Sequence, residues 1–201
     1  MRYRTDIINF LIKNYNLKSY LEVGTHDPNR NFNKIKIKYK ECVDPNPKNK
    51  SITFKMTSDE FFQKIDKNKK YDIIFIDGLH QENQVDKDIQ NSLDHLSGKG
   101  FIIMHDCNPI SEYMQREVQG RGYWNGTVWK SWVKLRCTRG DLKMLVVNID
   151  HGCGVIHRGG QNIWNKFTNI QECTQYSYLD KYRSDLLNLV SVNKFKELYN
   201  V

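Results

Sequence analysis

Two short runs of this chain end in side chains that can move protons or hold metal ions. Ile73, Ile74, Phe75 and Ile76 lead into Asp77, Gly78 and His80, and Phe101 to Met104 lead into His105, Asp106, Cys107 and Asn108. A carboxylate can ligate a divalent cation, and an imidazole, with an ordinary pKa of about 6.5, can trade a proton at neutral pH. Continuous apolar runs of this length read as strands buried on both faces of a parallel sheet. Ligands of such sheets bind outside the carboxyl ends of the strands. Asp77, His80, His105 and Asp106 are therefore expected to share one crevice.

The elements that must hold these strand ends follow from periodicity and punctuation. Ile7, Ile8, Leu11 and Ile12 at helical spacing predict a helix from residue 4 to about 15, leading into a strand over Tyr20–Val23 that ends at Gly24. The segment THDPNRNFNKI reads as a turn and a short helix, Glu41–Val43 as a second strand stopped by Asp44 and Pro45, and Ile52–Lys55 as a third. Ser58 is expected to cap a helix over Asp59–Ile65. Strands alternating with helices predict an α/β fold, a Rossmann-like doubly wound, mostly parallel sheet. After Pro109, Trp129, Trp132 and Leu135 fall at helical spacing. Two strand-like runs follow, Lys143–Asn148 and Gly154–His157, close enough for a terminal antiparallel β-hairpin. Leu186, Leu187, Leu189, Val190 and Phe195 mark a helical tail packed back on the sheet. The expectation is one domain over residues 1–201, with a core over about 19–157 and the tail over about 161–201.

Composition narrows the class. No apolar run approaches the roughly 20 residues that cross a bilayer, and the start of the chain lacks a signal-peptide apolar core, so a cytoplasmic, unanchored protein is expected. The five cysteines, Cys42, Cys107, Cys137, Cys153 and Cys173, are scattered without a C-x-x-C pair and are expected to be reduced thiols. His151-Gly-Cys153-Gly fits no zinc spacing and is read as a structural turn. The formal charge of +8 is read as solvated surface charge, because lysines such as Lys34, Lys36, Lys38, Lys40, Lys48 and Lys50 stand singly among asparagine and isoleucine. Nucleic acid is the less favoured partner.

Taken together, Leu21-Glu22-Val23-Gly24-Thr25, then Val43-Asp44-Pro45, then FIDGLH and MHDCNP, resemble the class I S-adenosylmethionine-dependent methyltransferases from about residue 19 to 157. More narrowly, the strand ends are similar to those of the small-molecule and sugar O-methyltransferase branch found in glycan biosynthesis. The resemblance implies S-adenosylmethionine as cofactor. Gly24 would admit its methionine part, with Glu22 holding the loop, and Asp44 would accept the ribose hydroxyls. Ser58 and Asp59 would lie near adenine, and Asp77 near the cofactor. The family's second and third loop glycines are absent from Glu22-Val-Gly24-Thr-His26-Asp27-Pro28.

Methyl transfer to a hydroxyl needs a base or a metal. Metal-dependent relatives imply magnesium or manganese on Asp77, His105 and Asp106. The relatives place two acidic residues at the second strand end, whereas this chain has His105 followed by Asp106. Without a metal, His80 or His105 would be the base. Tyr123 and Trp124, in a glycine-rich loop, are expected to contact a sugar or other small hydroxylated acceptor. Other uses stay open: a degenerate methyltransferase-fold binding or scaffold module, an RNA-directed enzyme, and a homo-oligomeric assembly.

Overall fold

The computed structural model describes residues 1–48 and 52–201; Lys50 lies outside them. The chain begins with α1 (Arg4–Tyr15), followed by β1 (Ser19–Val23), a short 3-10 turn (Phe32–Lys34) and β2 (Tyr39–Val43). Then come α2 (Ser58–Lys64), β3 (Tyr71–Ile76), α3 (Glu82–Asp94) and β4 (Leu96–Met104). α4 (Val128–Thr138) precedes β5 (Leu142–Val147) and β6 (Cys153–Arg158), and the tail holds α5 (Tyr176–Leu187), β7 (Leu189–Val190) and α6 (Val192–Tyr199).

These strands form one sheet in the order β2-β1-β3-β4-β6-β5-β7. β1, β2, β3 and β4 run parallel, and β6 lies antiparallel between β4 and β5. The hairpin expected from the sequence is this β5–β6 pair.

Period-two alternation sorts the strand residues onto two covered faces. Ile74, Ile76, Ile102 and Met104 pack into a core with α2, α3, α4 and α5, where Val85, Ile89 and Leu93 form the inner stripe of α3. Ile73, Phe75, Phe101 and Ile103 pack on the other side against Ile7, Ile8, Leu11 and Ile12 of α1 and Phe195 of α6. Both faces are buried, which is why the strands read as unbroken apolar runs.

Three local expectations are corrected. The run Ile52–Lys55 makes only an isolated bridge, Phe54 to Val43, because Thr53 turns its hydroxyl onto the Cys42 backbone and the chain leaves the edge at once. Thr57, not Ser58, caps α2: its side chain accepts from the Glu60 amide while Glu60 reaches back to the Thr57 amide. The tail is not wholly helical, since Leu189 and Val190 pair with Val146 and Val147. All five cysteines are free and buried, and no helix among the described residues is long and apolar enough to cross a membrane.

Candidate active site

Strand parity fixes the centre of the site. Asp77 continues the face of Ile73 and Phe75, and His105 continues the face of Phe101 and Ile103, so both emerge on the α1 side of the sheet. Hydrogen bonds from Asp77 to the Val23 carbonyl and from His105 to the Ile76 carbonyl, both through backbone amides, keep the three strand ends level. His105 Nδ1 then stands 3.3 Å from Asp77 Oδ1 and 3.0 Å from Asp106 Oδ2.

His80 enters from the loop after β3. Its Nε2 lies 3.4 Å from Asp77 Oδ1, and its Nδ1 lies 3.3 Å from Asp106 Oδ2 without the alignment of a hydrogen bond. The backbone that presents His80 is clamped by the stretch before α4: the Thr127 amide donates to the His80 carbonyl, and a Cβ at Gly126, whose φ is +62°, would fall 2.2 Å from that oxygen. Asp106 is 3% exposed and has φ +60°, a left-handed conformation that an aspartate adopts only at a cost. Such strain concentrates where side-chain placement matters.

One ligand atom each from Asp77, His80 and Asp106 lies within 4.8 Å of the other two, a set able to hold a metal ion. His80 supplies the nitrogen of this set; His105, expected in that role, brings Nδ1 to the same two carboxylates and turns Nε2 to Arg4, which the sequence reading missed. Arg4 Nη1 lies 2.9 Å from His105 Nε2, and the guanidinium pairs with Asp150 at 3.1 Å and Asp77 at 3.7 Å.

Burial pulls the pKa of His105 down, but Asp77 and Asp106 outweigh it and raise the value well above the ordinary one. Arg4 opposes that charge from 2.9 Å at Nε2, while the two carboxylates hold Nδ1. His80 is likewise held back by burial and raised overall by Asp77 and Asp106. Asp77 feels burial in the opposite sense, yet His105, His80 and Arg4 hold its carboxyl below the usual range.

The Asn148–Gly152 turn also carries function-bearing groups. Asp150 and His151, both at positive φ, line the crevice, and Asp150 is pushed down to about 2 because His105 and Arg4 outweigh its burial. Trp124 stacks on His80 with ring centroids 4.7 Å apart and planes 12° apart, while Tyr123 is 72% exposed and leans on His151. Both line the same crevice of about 470 Å³, within the ~300–1,000 Å³ range of small-molecule sites.

At the ends of β1 and β2 the polar groups are turned inward. Glu22, buried on the crevice floor, accepts from Tyr20 at 2.5 Å and Asn31 at 2.7 Å, and burial raises its pKa to about 7. Gly24 has φ +88°, and a Cβ there would fall 2.3 Å from the Gly78 Cα, so glycine is needed for the ends of β1 and β3 to meet. Asp44 does not line the crevice; its two oxygens accept from the His26 and Asn46 amides at 2.8 and 2.7 Å. Ser58 and Asp59 also lie outside the lining, bonded to Gln84, with Asp59 paired to Lys87.

Residues 17–107 match the family model described as a methyltransferase domain. Solved structures share the fold. One, assigned as a caffeoyl-CoA O-methyltransferase from Staphylococcus aureus, is 19% identical, with 77% of this chain and 82% of that one covered at a TM-score of 0.57. An S-adenosylmethionine-dependent methyltransferase from Clostridium acetobutylicum is 15% identical, with 78% and 91% covered and a TM-score of 0.54. An O-methyltransferase from Bacillus cereus, in complex with S-adenosylhomocysteine, is 12% identical, with 76% and 78% covered and a TM-score of 0.53. No curated protein sequence matches the chain.

Proposed function

From the premise that this chain is a class I, S-adenosylmethionine-dependent methyltransferase, as its domain match and fold make it, we propose that it methylates a hydroxyl oxygen of a sugar or related hydroxylated small molecule. The observation that carries this reading is the convergence of Asp77, His80 and Asp106 at the strand ends, with His80 Nδ1 buried and unpartnered among carboxylates. An oxygen nucleophile needs such a set; its proton must be removed as the carbon–oxygen bond forms.

Bound S-adenosylmethionine would supply the methyl group on a sulfonium, and a divalent cation on Asp77, His80 and Asp106 would lower the pKa of the acceptor hydroxyl. Mixed oxygen and nitrogen donors suit manganese better than magnesium. Gly24, Glu22 and the start of the His26 loop line the crevice where the cofactor's methionine part would lie. Asp44 retains one lone pair on each oxygen for the ribose hydroxyls.

Trp124, stacked on His80, gives the acceptor a flat apolar wall that aligns it for in-line displacement. Where no cation is held, His80 takes the hydroxyl proton, because Asp77 and Asp106 make its ring more basic than burial alone would leave it. Arg4 and Asp150 lock His105 behind this pair.

The test is calorimetric titration of S-adenosylhomocysteine with and without manganese, followed by methyl-transfer assays on hydroxylated acceptors in chelator. Cofactor binding with transfer that chelation abolishes and manganese restores is the expected result. Transfer indifferent to chelation would remove the metal, and no cofactor binding would return the fold to a binding module.

A further inference from the structure

Part of the chain's positive charge lines one trough. A trough of about 1630 Å³ runs between α1 and the segment from Arg30 to Tyr39, and it shares Arg4, Arg30 and Asp150 with the catalytic crevice. Exposed Lys13, Arg30, Lys34, Lys36, Lys38 and Lys196 line it, and none of them makes an ion pair among the described residues. Its two acids are engaged: Asp6 accepts from the amides of Arg2 and Tyr3, and Asp150 is held by Arg4. Lining cations that outnumber the acids in this way attract a polyanion and concentrate it.

The trough lies beside the reacting centre, not on a distant face. From Arg4 to Lys13 the helix rises roughly 14 Å, so a molecule filling it extends well beyond a single small acceptor. The rings present argue against bases as the repeating unit. A single-stranded nucleic acid wants aromatic faces for successive bases, yet the trough exposes two rings, Tyr3 at 62% and Tyr39 at 63%, the latter with Lys38 5.1 Å from its centroid, while Phe10 packs on Phe195. Lysine-dominated charge suits dispersed carboxylates or phosphates, met one at a time.

We propose that the trough binds the anionic continuation of the methyl acceptor, a glycan chain bearing carboxylate or phosphate groups, and so selects acidic over neutral glycans. The proposal rests on the hydroxyl-methylating reading of the crevice for its biological sense, but the trough is testable by binding alone. Fluorescence anisotropy would be followed on the whole chain with labelled polygalacturonate, phosphorylated dextran, neutral dextran and oligouridylate.

One or both acidic glycans are expected to bind at low salt, at least tenfold more tightly than neutral dextran, and to weaken as salt rises; which of them binds identifies the anion. The triple substitution Lys13→Gln, Lys34→Gln, Lys38→Gln should weaken that binding tenfold or more while leaving S-adenosylhomocysteine affinity unchanged. A control of equal charge, Lys64→Gln, Lys67→Gln, Lys99→Gln, should not. The proposal is overturned by no binding of either acidic glycan, by equal loss in both triple variants, or by oligouridylate binding tenfold more tightly than either glycan. Failure of methyl transfer with acidic-glycan binding intact would instead count against the catalytic reading alone.

Discussion

The two halves of the strand-end surface differ in how far their polar groups are already engaged. At β1 and β2, Asp44 closes on the His26 and Asn46 amides, Asp59 on Gln84 and Lys87, and Glu22 on Tyr20 and Asn31. At β3 and β4, His80 faces Asp77 at 3.4 Å and Asp106 at 3.3 Å, a buried ring nitrogen stays without a hydrogen bond, and Asp106 is held at φ +60°. Native structures rarely leave buried polar atoms idle or backbones strained without a use. On this reading the β3–β4 half is preset for a ligand, whereas the β1–β2 carboxylates are already bonded and the idle buried atom there is the Thr25 hydroxyl.

The largest effect should come from the preset half. Asp106→Asn keeps a residue that tolerates left-handed backbone but removes the charge, and methyl transfer should fall about 10³-fold or more with little change in melting temperature. If Asp44→Asn cost more activity in the same assay, the contrast between the halves would be broken. Gly24→Ala should come next. A methyl group 2.3 Å from the Gly78 Cα at φ +88° forces the ends of β1 and β3 apart, which should cost about 3 kcal/mol in denaturant unfolding.

Glu22 gives the closed half a pH signature. Its pKa is raised by burial from 4.5 to about 7, so the folded state binds the extra proton between those values. Its contribution is therefore intact below pH 4.5 and is lost as pH rises through 7, by roughly 3 kcal/mol. Stability curves of Glu22→Gln should lack that decline; curves that still superimpose on the parent would refute the assignment. The smallest effect is expected at the crevice wall. Trp124→Ala removes the ring stacked on His80 and should raise KM about tenfold with a lesser change in kcat, a split that steady-state kinetics reads directly.

The strand ends were legible because an apolar run buried on both faces must stop where the chain leaves the sheet, and parity then says which neighbours share a side. That logic brought Asp77, His105, His80 and Asp106 together. It did not find Arg4, which reads simply as an early residue of an amphipathic helix, and whose contact with His105 spans 101 positions of sequence. Periodicity carries no information about where a long side chain reaches across a fold.

Asp150 did leave a usable signal. Once β6 lies antiparallel to β4 with Gly154 opposite Met104, the turn just before it must sit at the β4 end, beside His105. Asp44 shows the converse limit: its place at a strand end was readable, but the two amides that close on it come from turns whose geometry no spacing rule specifies.

The isolated Phe54 bridge on β2 and the two-residue β7 on β5 have a shared consequence for how this sheet meets other chains. Phe54 takes up the outer backbone groups near the carboxyl end of β2, and the Asn188–Val190 stretch does the same for β5. An exposed sheet edge is a template for strand addition and aggregation. Among the described residues the outermost pairings at the catalytic rim are thus a single bridge and a two-residue strand, edges too short to template the addition of another strand.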